Sequence, residues 1–270
     1  MNGRHLSAFF ALTFLVSWVC FPAATSSNGV RQIIYLVGVF APALVALALT
    51  YRTEGAAGVS ALLSRIAKPR ASARWYVFAI TYMALIKLAG AVVYRIALGT
   101  WPAFGSEPIS LMLGATLIST PVQAGEEIGW RGYALPRLER LIGLGPGSVV
   151  LGVVWATWHL PFFLITGNDK SGQSFFVYAI GATAISVAMA WVYWRTGGSL
   201  LITMLMHAAI NNTTGIVRSP VSPGLDPFTM RPPLTAALTA GVLGAFAAYA
   251  LVRMRGAALD ARAAADIERA

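Results

Sequence analysis

Long apolar runs separated by short polar segments dominate the chain. About eight of these runs approach the ~20 residues that a helix needs to cross the hydrocarbon core of a bilayer. The strict alternation typical of membrane β-strands does not appear, and lipid offers no hydrogen-bond partners to an open backbone. The pattern therefore predicts an all-α, polytopic membrane helix bundle, with spans at 7–25, 33–51, 75–94, 109–128, 148–166, 175–194, 199–217 and 234–252.

These spans leave no room for a separate soluble domain. We interpret residues 1–252 as one transmembrane domain and residues 253–270, rich in Ala and Arg, as a cytoplasmic tail. The first span follows Arg4 and has the layout of a signal peptide. No clean small-x-small cleavage site follows it, so we expect it to be retained as a helix.

Composition supports a membrane protein and argues against nucleic-acid binding. Hydrophobic residues make up 57% of the chain and charged residues only 11%, whereas soluble domains carry roughly 25% charged residues. The net charge is +10, but the basic residues lie in short segments between apolar runs and form no patch for nucleic acid. The expected partner is membrane lipid. The single cysteine, Cys20, cannot form an internal disulfide.

The distribution of Lys and Arg predicts the orientation. If the N-terminus is cytoplasmic, most of the basic residues in connecting segments fall inside, among them Arg65, Lys68, Arg137 and Arg140. The positive-inside rule then places both termini in the cytoplasm. We expect the membrane to be a bacterial plasma membrane. The segment Gly58–Pro69 is too short to span, and it fits either a helix lying flat at the interface or an ordinary basic loop.

Several polar residues interrupt the spans. Charged groups inside a bilayer are costly and usually face the bundle interior for a functional reason. The chain has only 10 acidic residues, yet two adjacent ones end the fourth span, and two of its 3 histidines lie within spans. The residues concerned are Glu126, Glu127, Arg131, His159, His207 and Asn211.

Helical spacing assigns different roles to the two glutamates. Glu127 and Arg131 are four residues apart, share a helix face and can form an ion pair. Glu126 points about 100° away from Glu127, so it is left as a candidate general base. The alternative is that all three residues mark a helix end at the interface.

The remaining polar residues offer hydrogen bonds from two other spans. His207 and Asn211 are four apart and could hold an oxyanion or a water, or could simply make an interhelical hydrogen bond. Trp155 and His159 share the same spacing. Brought together, Glu126, His159, His207 and Asn211 could activate a water molecule. Glu126, His159 and His207 also form a possible zinc ligand set, although no HExxH motif is present.

At these residues the sequence resembles the intramembrane proteases related to the CAAX prenyl endopeptidase, also called the CPBP family, which includes bacteriocin-immunity-type membrane proteins. Residues 126–131 match its EExxxR motif. His159 lies in its second motif, often written FxxxH, with Trp155 in place of the phenylalanine. His207 and Asn211 match its third motif, HxxxN. The resemblance covers about residues 115–215, which we take as the catalytic core.

The resemblance implies a function and a division of labour. It implies about eight helices around a conical cavity, and hydrolysis of a membrane-associated, prenylated CaaX-type peptide or protein. It further implies that Glu126 and His159 activate a water, that His207 and Asn211 hold the oxyanion, and that Glu127 and Arg131 support them. Whether the family uses zinc or glutamate alone stays open.

Two functions from other classes compete with the protease. A non-catalytic immunity or scaffold protein would keep the same fold and bind a partner. A proton-coupled transporter also uses Glu and His inside spans, but inverted repeats, which such carriers often show, are not evident. The sequence indicates neither the substrate nor the oligomeric state.

Overall fold

The computed structural model describes residues 3–25, 29–68, 71–165, 168, 170, 172–219 and 226–259. Its elements are helices joined by short connections, and one isolated antiparallel bridge joins Phe104 to Val217. The helices are α1 (Gly3–Cys20), α2 (Gly29–Leu63), α3 (Ala73–Leu98), α4 (Ile109–Ser119), α5 (Ala124–Glu127), α6 (Leu135–Ile142), α7 (Leu144–Trp158), α8 (Pro161–Leu164), α9 (Phe175–Arg195), α10 (Leu200–Thr213) and α11 (Leu234–Arg253). Short 3₁₀ turns cover Phe21–Thr25, Thr120–Gln123 and Thr214–Ile216, and a π-helix covers Ile128–Ala134.

The all-α, polytopic prediction is confirmed, and the protein is an integral membrane protein. Among the described residues, 6 helices are long and apolar enough to cross a membrane. The two predicted spans outside this set are 109–128, which the structure divides into several helical pieces, and 199–217, which contains α10. At about 1.5 Å per residue α10 is about 21 Å long, less than the ~30 Å hydrocarbon core. These two segments carry four of the six candidate site residues, and Arg131 follows three residues after the first of them.

The helical run from Ile109 to Ile142 changes its winding several times. The 3₁₀ turn follows α4 at Pro121, whose nitrogen cannot donate a hydrogen bond. The π-helix begins directly after Glu127, and all seven of its residues are buried. Short π-helical segments inside α-helices frequently occur at functional sites. Because of these local changes in helix geometry, the most polar side chains of the run face the interior of the protein.

Proline also explains a contact that holds the π-helix. Pro136 has no N–H to donate to the carbonyl of Gly132, four residues earlier. A guanidinium N–H of Arg65 donates to that carbonyl at 3.2 Å and to the hydroxyl of Tyr193 at 3.0 Å. Through these two hydrogen bonds, the segment after α2 connects the π-helix to α9.

The segment Gly58–Pro69 is partly helical. Gly55, with φ 67° and ψ −165°, bends the chain inside α2, and the helix then continues to Leu63. Leu62 is buried, and the backbone carbonyl of Arg65 accepts a hydrogen bond from the N–H of Leu200. The segment is therefore docked on the bundle, while its position at a membrane interface stays a prediction. Pro69 lies outside the described residues.

Two glycines let α2 approach the glutamate pair closely. A Cβ at Gly125 would lie 2.9 Å from the ring of Phe40, and a Cβ at Gly129 would lie 2.6 Å from the backbone of Pro42. Small residues four apart allow helices in membranes to pack closely. The pair Glu126–Glu127 lies between these two contacts. Packing against α2 therefore sets the position and orientation of the segment that carries the two glutamates.

Replacing Gly129 by Ala is expected to destabilise the protein because the backbone of Pro42 cannot move as a side chain can. Overpacking of this kind typically costs about 1–3 kcal/mol. The matched control is Gly114→Ala in α4, where a Cβ meets nothing within 4 Å and where alanine favours the helix. Thermal unfolding in detergent should show a lower midpoint for Gly129→Ala alone. Equal midpoints for the two variants would contradict the close packing.

Candidate active site

Glu127 and Arg131 form a buried ion pair, as their spacing predicted. The distance between Arg131 Nη1 and Glu127 Oε1 is 2.8 Å, and both side chains are fully buried. The full burial of both side chains favours the ion pair over the alternative that these residues mark a helix end at the interface. Two charges this deep require further partners, because burying ions costs several kcal/mol each.

His207 is the second partner of Glu127. Its Nδ1 lies 2.9 Å from the same Oε1, so α5 and α10 are joined across 80 residues of sequence. Because Arg131 also donates to this oxygen, Glu127 is ionised and Nδ1 of His207 carries a proton. The free nitrogen of His207 is then Nε2, which accepts a hydrogen bond in the neutral ring and donates one only when the ring is protonated.

Glu126 faces a different neighbour from Glu127, as the 100° offset predicted. Its Oε2 accepts a hydrogen bond from the indole N–H of Trp155 at 2.7 Å. The side chain is buried, and among the described residues it forms no ion pair. Glu126 thus has no ion-pair partner among these residues, but one of its carboxylate oxygens accepts a hydrogen bond.

His159 lies where α7 ends. Its Nδ1 is 2.8 Å from the backbone carbonyl of Trp155. A carbonyl only accepts, so Nδ1 carries a proton and Nε2 of the neutral ring is an acceptor. The rings of Trp158 and Tyr178 contact the imidazole edge to face, with centroids 4.8 and 5.5 Å away. These two aromatic rings exclude water from one side of the imidazole.

Asn211 lies one helical turn beyond His207 on α10 and is exposed within the described structure. Its neighbour Asn212 makes the interhelical bonds instead, donating to Ser119 Oγ at 3.0 Å and to the carbonyl of Ala208 at 2.8 Å. The amide of Asn211 therefore remains available to an incoming group, while Asn212 fixes the helix.

Comparison with known proteins agrees with the motifs at this site. A family model described as type II CAAX prenyl endopeptidase, Rce1-like, matches residues 106–213. A curated relative, CAAX prenyl protease 2 of Methanococcus maripaludis, is 25% identical over 95 residues, which cover 32% of this chain and 34% of the relative. Residues 106–213 of the chain are thus similar to the CAAX prenyl endopeptidase family. The match thus spans about a third of the relative's length.

The family's second motif departs from its usual form here, and the structure shows a consequence that the sequence did not indicate. The residue at this place is Trp155. Its indole also contacts Arg131, whose Cζ lies 4.7 Å from the ring centroid, and the ring of His207 at 5.3 Å. Trp155 thus contacts Glu126, Arg131, His159 and His207. The only sequence signal for this role was its spacing from His159.

Glu126, His159 and His207, the zinc ligand set that the sequence allowed, are not arranged as a metal site in the described part of the chain. Within the described residues no three His, Cys, Asp or Glu side chains are placed to hold a metal ion. Nδ1 of His207 is bonded to Glu127, and one oxygen of Glu126 is bonded to Trp155. We therefore derive no step through a metal.

Proposed function

We propose that the protein is an intramembrane endopeptidase that hydrolyses a peptide bond of a membrane-associated substrate. The observation that carries this proposal is the state of Glu126, a buried carboxylate that has no cation beside it among the described residues and keeps one oxygen unbonded. A carboxylate oxygen that has no other partner can accept a proton from a water held beside it. The similarity of residues 106–213 to the CAAX prenyl endopeptidase family supports the same activity.

In the proposed reaction one water donates its two hydrogens to Oε1 of Glu126 and Nε2 of His159. Glu126 takes a proton as the water oxygen attacks the substrate carbonyl, and a C–O bond forms. The carbonyl then reforms, the C–N bond breaks, and the proton held by Glu126 passes to the leaving amine. The second hydrogen of the water leaves the new carboxyl group for the amine, so the products are a carboxylate and an ammonium group, and Glu126 can accept a proton again.

His207 and Asn211 are proposed to hold the oxyanion. Nδ1 of His207 is directed to Glu127, so only Nε2 can face the substrate. It donates to an oxyanion only when the ring is protonated, and the hydrogen bond to Glu127 fixes the orientation of the ring. On this proposal Glu127 acts on catalysis through His207, in addition to its ion pair with Arg131.

We propose that water activation here does not need zinc. Support comes from the arrangement of the side chains, because no three His, Cys, Asp or Glu side chains of the described residues are placed to hold a metal ion. Activity is expected to persist after incubation with 1,10-phenanthroline followed by its removal. Loss of activity that added Zn²⁺ restores would contradict a zinc-free reaction.

A prenylated peptide ending in a CaaX sequence is the proposed substrate class. The Methanococcus relative is named a CAAX prenyl protease, and a lipid-modified peptide would reach a site inside a membrane bundle by partitioning into the bilayer. The test is cleavage of quenched fluorescent peptides by purified protein, with matched prenylated and unprenylated sequences. Faster cleavage of the prenylated peptides is expected. If a folded protein cleaves none of them, the immunity or scaffold function replaces the protease.

The proposed location is a bacterial plasma membrane with both termini in the cytoplasm. This orientation places Arg65 and Lys68 on the cytoplasmic side, in agreement with the positive-inside rule. A reporter that is active only in the cytoplasm, inserted after Lys68, is expected to be active. An active extracytoplasmic reporter at the same site would reverse the orientation.

A further inference from the structure

Trp155 contacts both members of the proposed water-activating pair, each through a different group. Its indole N–H donates to Oε2 of Glu126 at 2.7 Å. Its backbone carbonyl accepts from Nδ1 of His159 at 2.8 Å. A single residue on α7 thus connects a carboxylate on α5 to an imidazole at the end of its own helix.

The first of these contacts depends on the residue type. The usual form of the motif has phenylalanine at this position, and phenylalanine has no N–H to donate. The second contact uses the backbone and is open to any residue. The chain therefore has a hydrogen bond to its candidate base that the common form of the motif cannot make.

We propose that Trp155 is a positioning residue that selects which atoms of Glu126 and His159 face the water; this rests on the proposed function. By holding Oε2, the indole leaves Oε1 as the proton acceptor. By holding the Nδ1 proton, the carbonyl leaves Nε2 of His159 as the second acceptor. One water with two hydrogens then meets two fixed acceptors, and its lone pair is directed at the substrate.

The indole is itself held firmly enough to position a neighbour. It is 4% exposed, the guanidinium of Arg131 lies over its ring, and the ring of His207 packs against it edge to face at 5.3 Å. Arg131 and His207 also share Glu127. Trp155 therefore connects Arg131 and His207, the two partners of Glu127, to the candidate base Glu126. Its indole holds Glu126 by a hydrogen bond and places no positive charge beside it.

The kinetic test compares Trp155→Phe with Trp158→Phe. Trp158 is on the same helix, is equally buried and contacts His159, but its indole N–H has no hydrogen-bond partner among the described residues. Both changes remove similar ring area. Losing a hydrogen bond to a charged group is expected to lower kcat about 10- to 100-fold for Trp155→Phe, with KM changed less than about twofold. Equal kcat losses in the two variants would overturn the proposal.

An NMR experiment tests the hydrogen bond without requiring activity. The protein is labelled with ¹⁵N-indole tryptophan, and the Trp155 signal is assigned from its absence in Trp155→Phe. Replacing Glu126 by Leu is expected to shift that signal upfield in ¹H and to leave the Trp158 signal in place. An unmoved Trp155 signal overturns the proposal. A shifted signal in a protein that cleaves no peptide instead overturns the proposed function and keeps the hydrogen bond.

Discussion

Glu126→Gln is expected to lower kcat for peptide cleavage about 10²–10⁴-fold, the usual contribution of a general base. Glutamine keeps the size of the side chain, and its carbonyl oxygen can still accept from Trp155, so folding should be preserved. What it loses is the ability to take a proton. Size-exclusion profiles and thermal midpoints in detergent should match those of the unchanged protein, while cleavage falls to near background.

The matched control for this prediction is Glu54→Gln. Glu54 also accepts a hydrogen bond, from Arg137 at 3.0 Å, but its side chain is 46% exposed and lies away from the site. Removing its charge should leave kcat within about twofold, because exposed ion pairs contribute little. Full activity in Glu126→Gln would show that another group takes the proton.

Glu127→Leu is expected to have the largest effect on stability of any single change at the site. It leaves Arg131 as a fully buried cation without its counterion, and breaking one partner of a buried pair typically costs about 3–5 kcal/mol. It also removes the acceptor for Nδ1 of His207. We expect a strongly lowered thermal midpoint and poor expression, together with loss of cleavage.

The double variant Glu127→Leu, Arg131→Met separates stability from catalysis. Replacing both charges by apolar groups is often neutral for folding, so much of the lost thermal midpoint should return. Cleavage should not return, because His207 still lacks the carboxylate that orients it. A double variant that is both stable and active would show that Glu127 and Arg131 serve folding alone.

The sequence predicted the helical bundle well because burial in lipid leaves a strong hydropathy signal. It was less informative for the segments at 109–128 and 199–217, which hydropathy alone presents as ordinary spans. The structure divides the first by 3₁₀ and π turns at Thr120–Gln123 and Ile128–Ala134. Such changes depend on packing, here against Phe40 and Pro42, which no local pattern encodes.

Within the site, the predictable contacts were the local ones. The ion pair of Glu127 with Arg131 follows from helical spacing. The bonds from Trp155 to Glu126 and from His207 to Glu127 join residues 29 and 80 positions apart, and one sequence cannot show which helices meet. Assigning Glu127 only to its ion pair was therefore incomplete, because the residue also orients His207.

The parts of the sequence interpretation furthest from the site remain predictions. These are the division into a domain at 1–252 and a tail at 253–270, the conical cavity, and retention of the first span. Most of the tail, residues 260–270, lies outside the described residues. The roles of His159, His207 and Asn211 are likewise predictions.

The central claim is that a water molecule activated by Glu126 attacks the peptide bond. Its most direct test is a single turnover in H₂¹⁸O, with enzyme in excess over a prenylated CaaX peptide. The masses of the products are then measured by mass spectrometry. If Glu126 activates a water, every new carboxylate formed in the first turnover carries one ¹⁸O. A first-turnover product containing only ¹⁶O would show that an oxygen of the enzyme had been transferred, so that a carboxylate attacked the peptide directly. That result would contradict the account.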